Sequence, residues 1–161
     1  MGETESDFSA FAESGMGAET DAYIAENATV RHALTVAEGV SVAEPVILEV
    51  TLDAAHPTAL TSLSVDAKAG SSLTIVQVLR GDAEHGAAAS LTRIRAGENA
   101  QVRLVQIQLL GDNARRWNAA AVEEGRNARV EQVRIELGGI LSACGTRAAL
   151  SAAKSEYDLD A

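Results

Sequence analysis

Two stretches of this sequence nearly repeat each other 28 residues apart, and this repeat constrains the fold more than any other feature. "GENAQVRLVQIQL" runs from Gly97 to Leu109, and "GRNARVEQVRIEL" runs from Gly125 to Leu137. Gly70 stands 27 residues before Gly97, again between two strand-like runs. Equivalent side chains at such an interval are what a β-solenoid requires, because each coil buries its apolar face only against its neighbours.

Each repeat reads as a strand, a glycine turn, a second strand and a polar loop. The alternation of apolar residues shifts by one between Val102 and Val105, which predicts a bend or bulge there. The side chains predicted to stack inward fall in three groups: Leu73, Ala100 and Ala128; Ile75, Val102 and Val130; and the pairs Val105 and Val133, Ile107 and Ile135, Leu109 and Leu137. The polar residues between them are predicted to point outward: Gln106, Gln108, Arg134 and Glu136.

The repeat favours an all-β fold, a parallel β-helix with coils of about 28 residues. A β-sandwich is the alternative, but it would show turn signals every 8 to 12 residues, roughly, without register between distant strands. The length of 161 residues fits one domain. Because aromatic residues make up only 3% of the chain, the core must be built from small and branched aliphatic side chains.

The first 28 residues differ from the rest and form an acidic, partly helical lead-in. Phe8 and Phe11 begin a run of apolar residues at roughly helical spacing, which the glycines of Ser14–Gly17 interrupt. We therefore expect one or two short helices that end near Asn27. The β-helix core then spans residues 29–161, and its last coil is predicted to be incomplete because Ala153 stands where the repeat calls for a turn glycine.

The charge balance excludes several classes of partner. Lys and Arg total 13 against 23 Asp and Glu, a formal charge of −10, which disfavours nucleic acid and anionic membrane surfaces. Arg115 and Arg116 before Trp117 form an isolated basic pair, and we interpret Trp117 as a cap over the edge of a coil. No basic-then-apolar leader opens the chain and no apolar run is long enough to span a bilayer, so we expect a cytoplasmic protein.

Few residues suggest chemistry. His32, His56 and His85 lack any metal-ligand spacing, and Glu123 and Glu124 are interpreted as charges that keep a turn hydrated. Cys144 in "LSACGTR" is the candidate for a cofactor-binding thiol, because Arg147 nearby would activate it. The interpretation we favour for Cys144 is a small buried side chain. We predict no catalytic residue, no metal site and no enzymatic activity.

Several segments together resemble the SufB/SufD family of iron-sulfur cluster assembly. They are "LTVAEGVSVAEPVILEV", "AGSSLTIVQVL", "AGENAQVRLVQIQLLGDNA" and "NARVEQVRIELGGILSACGTRAAL", from about Val30 to about Leu150. The resemblance implies a right-handed parallel β-helix, which agrees with the repeat. The chain is more similar to a SufD-type or an undifferentiated SufB/SufD-like member than to a SufB-type member. The resemblance also implies that it is without the C-terminal part with which family members contact the SufC ATPase.

The resemblance implies a scaffold subunit that acts with a SufB/SufD-like partner and a SufC-like ATPase. An iron-sulfur cluster is implied only for the family complex, not for a ligand set on this chain. An open solenoid edge also predicts a homodimer through that edge. Two alternatives remain: a self-assembling structural β-helix, as in bactofilins, and a carbohydrate-active β-helix enzyme, for which the sequence offers no carboxylate cluster.

Overall fold

The structure is a computed structural model that describes residues 13–81, 83 and 85–161. Those residues form one helix, α1 (Ala18–Asn27), and ten strands. The strands are β1 (Val30–Val36), β2 (Val46–Leu52), β3 (Thr58–Ala67), β4 (Ser72–Gly81), β5 (Ala87–Ala96), β6 (Gln101–Leu110), β7 (Arg115–Glu124), β8 (Arg129–Leu137), β9 (Leu141–Leu150) and β10 (Glu156–Asp160). Phe8 and Phe11 lie outside the described residues. The short helix ends at Asn27, as predicted.

The strands form two parallel sheets with five strands each. The odd sheet has the order β1-β3-β5-β7-β9, and the even sheet has the order β2-β4-β6-β8-β10. The chain alternates between them, so that each coil contributes one strand to each sheet. Side chains from both sheets meet in the interior, where Leu63 and Val65 of β3 pack with Leu73 and Ile75 of β4 in the larger of two aliphatic clusters. This arrangement confirms the predicted β-solenoid.

Strand pairing confirms the predicted register between the later coils and corrects it between the earlier ones. Three predicted pairs are observed between β6 and β8: Val105 with Val133, Ile107 with Ile135, and Leu109 with Leu137. Leu73, however, pairs with Val102 and not with Ala100, and Ile75 pairs with Leu104. The predicted alignment was wrong by two residues there because it matched Gly70 to Gly97.

The turns between odd and even strands explain that error. Each has one residue with a positive φ angle of 56° to 69°: Gly39, Gly70, Asn99, Asn127 or Lys154. Gly70 therefore corresponds to Asn99, since asparagine adopts this conformation more readily than most residues. Gly97 serves a different purpose, because a Cβ atom there would lie 2.9 Å from the backbone nitrogen of Ala69. It allows one coil to approach the next.

In the even sheet, the polar side chains that we predicted to point outward point inward, and the apolar ones point outward. β6 runs without a bend or bulge and alternates regularly, so the parity shift that we predicted after Val102 is wrong. As a result, Gln106 and Gln108 point inward and are fully buried, whereas Ile107 and Leu109 point outward. Arg134 and Glu136 of β8 follow the same inward parity, because they pair with Gln106 and Gln108.

Helix α1 covers the outer face of the odd sheet. Its Ile24 is 1% exposed and packs against Leu91 and Ala119. Before the helix, Ser14 donates hydrogen bonds from its backbone nitrogen and its Oγ to the buried carboxylate of Asp21, at 2.6 and 2.5 Å. These contacts join the segment before the helix to α1. Among the described residues, the structure holds no helix with the length and apolar character that crossing a bilayer requires.

Candidate functional site

The interior of the solenoid changes from aliphatic to polar toward the last coil. Gln106 lies at the centre of this change, because its Nε2 donates to Gln77 Oε1 at 2.7 Å and its Oε1 accepts from two amides. The donors are Asn118 Nδ2 at 3.0 Å and Gln132 Nε2 at 2.7 Å. Tyr157 of β10 donates its hydroxyl to Gln132 Oε1 at 2.5 Å. Buried amides are tolerated here because they bond to one another.

A buried ion pair between β7 and β8 lies next to these amides, at one end of the interior. Arg116 of β7, whose side chain is 4% exposed, places Nη1 2.8 Å from Oε1 of Glu136 on β8. Burial lowers the pKa of Arg116, and the negative charge of Glu136 opposes this effect. A buried guanidinium of this kind requires its carboxylate, because an unpaired buried charge is costly.

Cys144 lies beside this ion pair. It pairs with Asn118 across the β7–β9 ladder, and its Sγ lies 3.6 Å from Glu136 Oε1 and 3.7 Å from Ser142 Oγ. Ser142 donates to the other carboxylate oxygen of Glu136 at 2.6 Å. Arg116, Glu136, Ser142 and Cys144 are called the inner polar cluster below. The thiol of Cys144 is half-buried, so Cys144 is more exposed than the small buried side chain that we favoured.

The cation near the thiol is not the one that the sequence suggested. Arg147 points away from the interior and pairs with Glu13 at 3.2 Å. Arg116 from the preceding coil is the arginine of the inner polar cluster, so of the adjacent pair only Arg115 is exposed. Trp117 lies on the outer face of the odd sheet, where it lines a groove of about 500 Å³ with Tyr23 of α1, and not at the edge of a coil.

A second buried carboxylate lies further along β7. Glu124 is 1% exposed, and neither of its carboxylate oxygens has a hydrogen-bond partner among the described residues. Burial raises its pKa to about 7; the nearby backbone N–H of Glu156 partly offsets this effect, and the negative charge of the Glu156 side chain adds to it. Our interpretation of Glu124 as a hydrated turn residue is therefore wrong. Its neighbour Glu123 lies on the outer face, where it contacts Arg95 at 3.2 Å.

The inner polar cluster combines a thiol, a carboxylate, a hydroxyl and a guanidinium. One thiol and one carboxylate supply two ligands, fewer than a zinc ion or an iron-sulfur cluster needs. The histidines do not add to it, since His32 is on β1, His56 contacts Asp53 at 3.3 Å after β2, and His85 precedes β5. Within the described ranges, no three His, Cys, Asp or Glu side chains are grouped so that they could hold a metal ion.

Sequence reasoning missed this cluster for an identifiable reason. The signal in the sequence was the 26-residue interval between Arg116 and Ser142, which is about the length of one coil. These two residues pair between β7 and β9, so Arg116 lies on the coil next to that of Ser142. To use this signal, we would have needed to know which side chains of β8 point inward, because Glu136 had been predicted to point outward. With that parity wrong, Arg147 was the only arginine close to Cys144 in sequence.

Comparison with known proteins supports one family. A family model described as SUF system FeS cluster assembly, SufBD core domain, matches residues 50–161. Neither the curated proteins nor the solved structures gave a match. The matched range covers more than half of the chain, includes most of the solenoid and contains the whole inner polar cluster. The chain therefore belongs to the SufBD core family of the SUF system for iron-sulfur cluster assembly.

Proposed function

We propose that this chain is a non-enzymatic scaffold subunit that works in a cytoplasmic complex with a SufB/SufD-like subunit and a SufC-like ATPase. Family membership itself gives the chain a role in SUF-type iron-sulfur cluster assembly. The scaffold role is supported by the described architecture, in which two parallel sheets present long, regular strands.

The observation that carries the proposal is the family match over the solenoid coils that hold the inner polar cluster. In that cluster the thiol of Cys144 lies at the last described coil, where β9 is partly open to solvent. A cluster needs about four ligands and this chain offers a single thiol, so a cluster that Cys144 binds would take its remaining ligands from other subunits. The iron-sulfur cluster is therefore the cargo of a complex, held by several chains.

The described strands also offer a place for a partner. β9 pairs with β7 alone and β10 pairs with β8 alone, so each has one edge without a neighbour among the described residues. Unpaired backbone groups at such an edge bind a strand from another chain. Pairing with a SufB/SufD-like subunit, or with a second copy to form a homodimer through this edge, would use these groups.

Affinity purification tests the proposed complex. Tagged full chain is incubated with cytoplasmic extract of its own source, and retained proteins are identified by mass spectrometry. We expect a SufC-like ATPase and a second SufB/SufD-like subunit. Leu150→Glu, on the free edge of β9, should reduce recovery of the β-helical partner, whereas Val40→Glu, an exposed apolar position in the turn before β2, should not. Recovery of the tagged chain alone would contradict the proposal.

Cys144 is tested separately, because a subunit can belong to the complex without binding the cluster. Cys144→Ser is compared with Ser142→Ala, which removes a neighbouring hydroxyl and leaves the thiol. If Cys144 is a ligand, the purified complex should lose iron and sulfide only in the first variant. Unchanged iron loading in Cys144→Ser would exclude the thiol as a ligand while leaving the scaffold role intact.

A self-assembling structural protein, similar to bactofilins, is the second candidate function. The free edges of β9 and β10 and the exposed aliphatic side chains favour it, because both promote association between copies. Electron microscopy of the purified chain separates the two functions: filaments formed by this chain alone would favour the structural protein.

A further inference from the structure

The turn between β9 and β10 lies over a carboxyl group that the fold leaves without a partner. Glu124, at the end of β7, points inward and is 1% exposed, and neither of its carboxylate oxygens accepts a hydrogen bond within the described residues. Its backbone carbonyl accepts from Ser151 Oγ at 3.0 Å, which joins this position to the turn. Because buried polar groups almost always have partners, an exception of this kind points to a particular role.

The groups around this carboxyl group favour its neutral form. The residues that pair with Glu124 on the adjacent strands, Ala96 of β5 and Leu150 of β9, carry no charge. The nearby backbone N–H of Glu156 donates to the carbonyl oxygen of Ala128 at 3.0 Å, so it is already engaged. The side chain of Glu156 adds a negative charge. An ionised Glu124 would therefore need water, because a buried charge without a partner is costly.

The remaining titratable groups near Glu124 do not neutralise it. Tyr157 of β10 is close enough to interact with it, but burial raises the pKa of this tyrosine, so it stays protonated at neutral pH. The cations near this end of the coils are exposed or paired with other groups: Lys154 is exposed in the turn before β10, Arg126 pairs with Glu98, and Arg129 pairs with Glu156 at 3.9 Å.

Strand β10 is the part of this cover that the described structure holds least firmly. It pairs with β8 over five residues, whereas β9 pairs with β7 over ten. Only Tyr157 of its five residues is partly buried, and three of the others are acidic: Glu156, Asp158 and Asp160. Hydration of β10 therefore exposes little apolar surface, which makes its separation the least costly way for water to reach Glu124.

We propose that β10 and the turn before it form a pH-dependent cover: when the carboxyl group of Glu124 ionises, β10 separates from β8 and water reaches the carboxylate. When the group is protonated, it tolerates burial and the coil stays closed. Release of β10 leaves one edge of β8 unpaired, and such an edge binds strands from other chains. The inference concerns this coil alone and does not depend on the proposed scaffold function.

The pKa of Glu124 gives the direction and the size of the effect. Burial raises it from 4.5 to about 7 in the closed coil, whereas a hydrated carboxyl group in the open coil has its ordinary value. The closed coil therefore retains a proton that the open coil releases, so opening becomes more frequent as the pH rises between these two values. From about pH 5.5 to about pH 8 the open fraction should rise about 30-fold.

Amide hydrogen exchange of the full chain, followed by NMR and corrected for the intrinsic rate at each pH, tests the proposal. In the wild-type chain, the amides of β10 should be less protected than those of β6, and their protection should fall about 30-fold from about pH 5.5 to about pH 8. Glu124→Gln cannot ionise, so the protection of its β10 should not change with pH. Glu123→Gln, on the outer face of the same strand, is the matched control and should behave as the wild-type chain does.

A second variant covers a failure of Glu124→Gln to fold. Glu124→Leu replaces it in that case, since leucine also cannot ionise and suits a buried position. Three results would each overturn the proposal: protection of β10 that does not change with pH in the wild-type chain, the same change in the wild-type chain and in the variant at Glu124, or amides of β10 that are as protected as those of β6 and so exchange only on global unfolding. None of these results bears on whether the chain binds SUF partners.

Discussion

The buried carboxyl group of Glu124 should make the solenoid less stable as the pH rises. Its pKa is raised from an ordinary value of 4.5 to about 7, mainly by burial, so the folded chain keeps a proton that the unfolded chain releases. Stability falls with pH wherever the folded state binds more protons, which here is the window between 4.5 and about 7. The penalty is absent below this window and complete above it.

The magnitude follows from the two pKa values. A difference of this size corresponds to about 3 kcal/mol in the free energy of unfolding, as an upper value. Glu124→Gln keeps the shape of the side chain but cannot ionise. The variant should therefore match the wild-type chain near pH 4.5 and exceed its stability by up to about 3 kcal/mol near pH 8.

Urea unfolding followed by circular dichroism at a series of pH values measures this difference. Glu123→Gln is the matched control, because it removes the neighbouring carboxylate from the same strand but on the outer face, beside Arg95. The control should not reproduce the gain that Glu124→Gln shows on going to high pH. Equal stability of Glu124→Gln and wild-type chain at pH 8 would refute the argument that Glu124 is buried without compensation.

Three further substitutions test the interior and the turns by the same unfolding measurement. Gln106→Leu preserves volume but removes the partner of several buried amides, so it should destabilise the chain by about 2–3 kcal/mol; a neutral effect would mean that those amides find other partners. Arg116→Met leaves the carboxylate of Glu136 without its cation and should lower the free energy of unfolding by about 3 kcal/mol at neutral pH. The double variant with Glu136→Gln should recover most of this loss, because the unpaired charge is then removed as well. Gly97→Ala places a Cβ atom 2.9 Å from the backbone of the neighbouring coil and should lower the free energy of unfolding by about 1–3 kcal/mol. Asn99→Gly, two residues later, should be nearly neutral, because the φ angle of Asn99 is positive and glycine adopts such an angle readily.

The fold was predictable because the repeat reports on stacking directly. Parallel coils pair equivalent positions, so the 28-residue interval between Gly97 and Gly125 reappears as the β6–β8 register. The error at Gly70 had a local cause, since the residue with positive φ is glycine in one coil and asparagine in the next. A glycine at Gly97 allows close approach and a glycine at Gly70 allows a turn, and sequence alone does not distinguish these two uses.

The inward and outward faces of β6 and β8 could not be assigned from residue type. Apolar residues were assigned to the core, which required a bend after Val102 that the strand does not have. The prediction failed because a column of amides that bond to one another is as acceptable inside as aliphatic side chains. Whether Gln106 finds such partners depends on Asn118 and Gln132, which only the folded register brings together. The same error hid Glu136, and with it the surroundings of Cys144.

The reversed polarity of the even sheet connects the candidate site with the apolar residues on the outer face of that sheet. Successive side chains of a strand point to opposite faces of the sheet. Because β6 places Gln106 and Gln108 inside, Ile107 and Leu109 must point outside. The polar interior near Cys144 and the apolar outer face therefore have the same cause, which is the alternation of side chains along the strands of the even sheet. Inside the solenoid the buried amides are stabilised by their mutual hydrogen bonds, which only the folded register assembles.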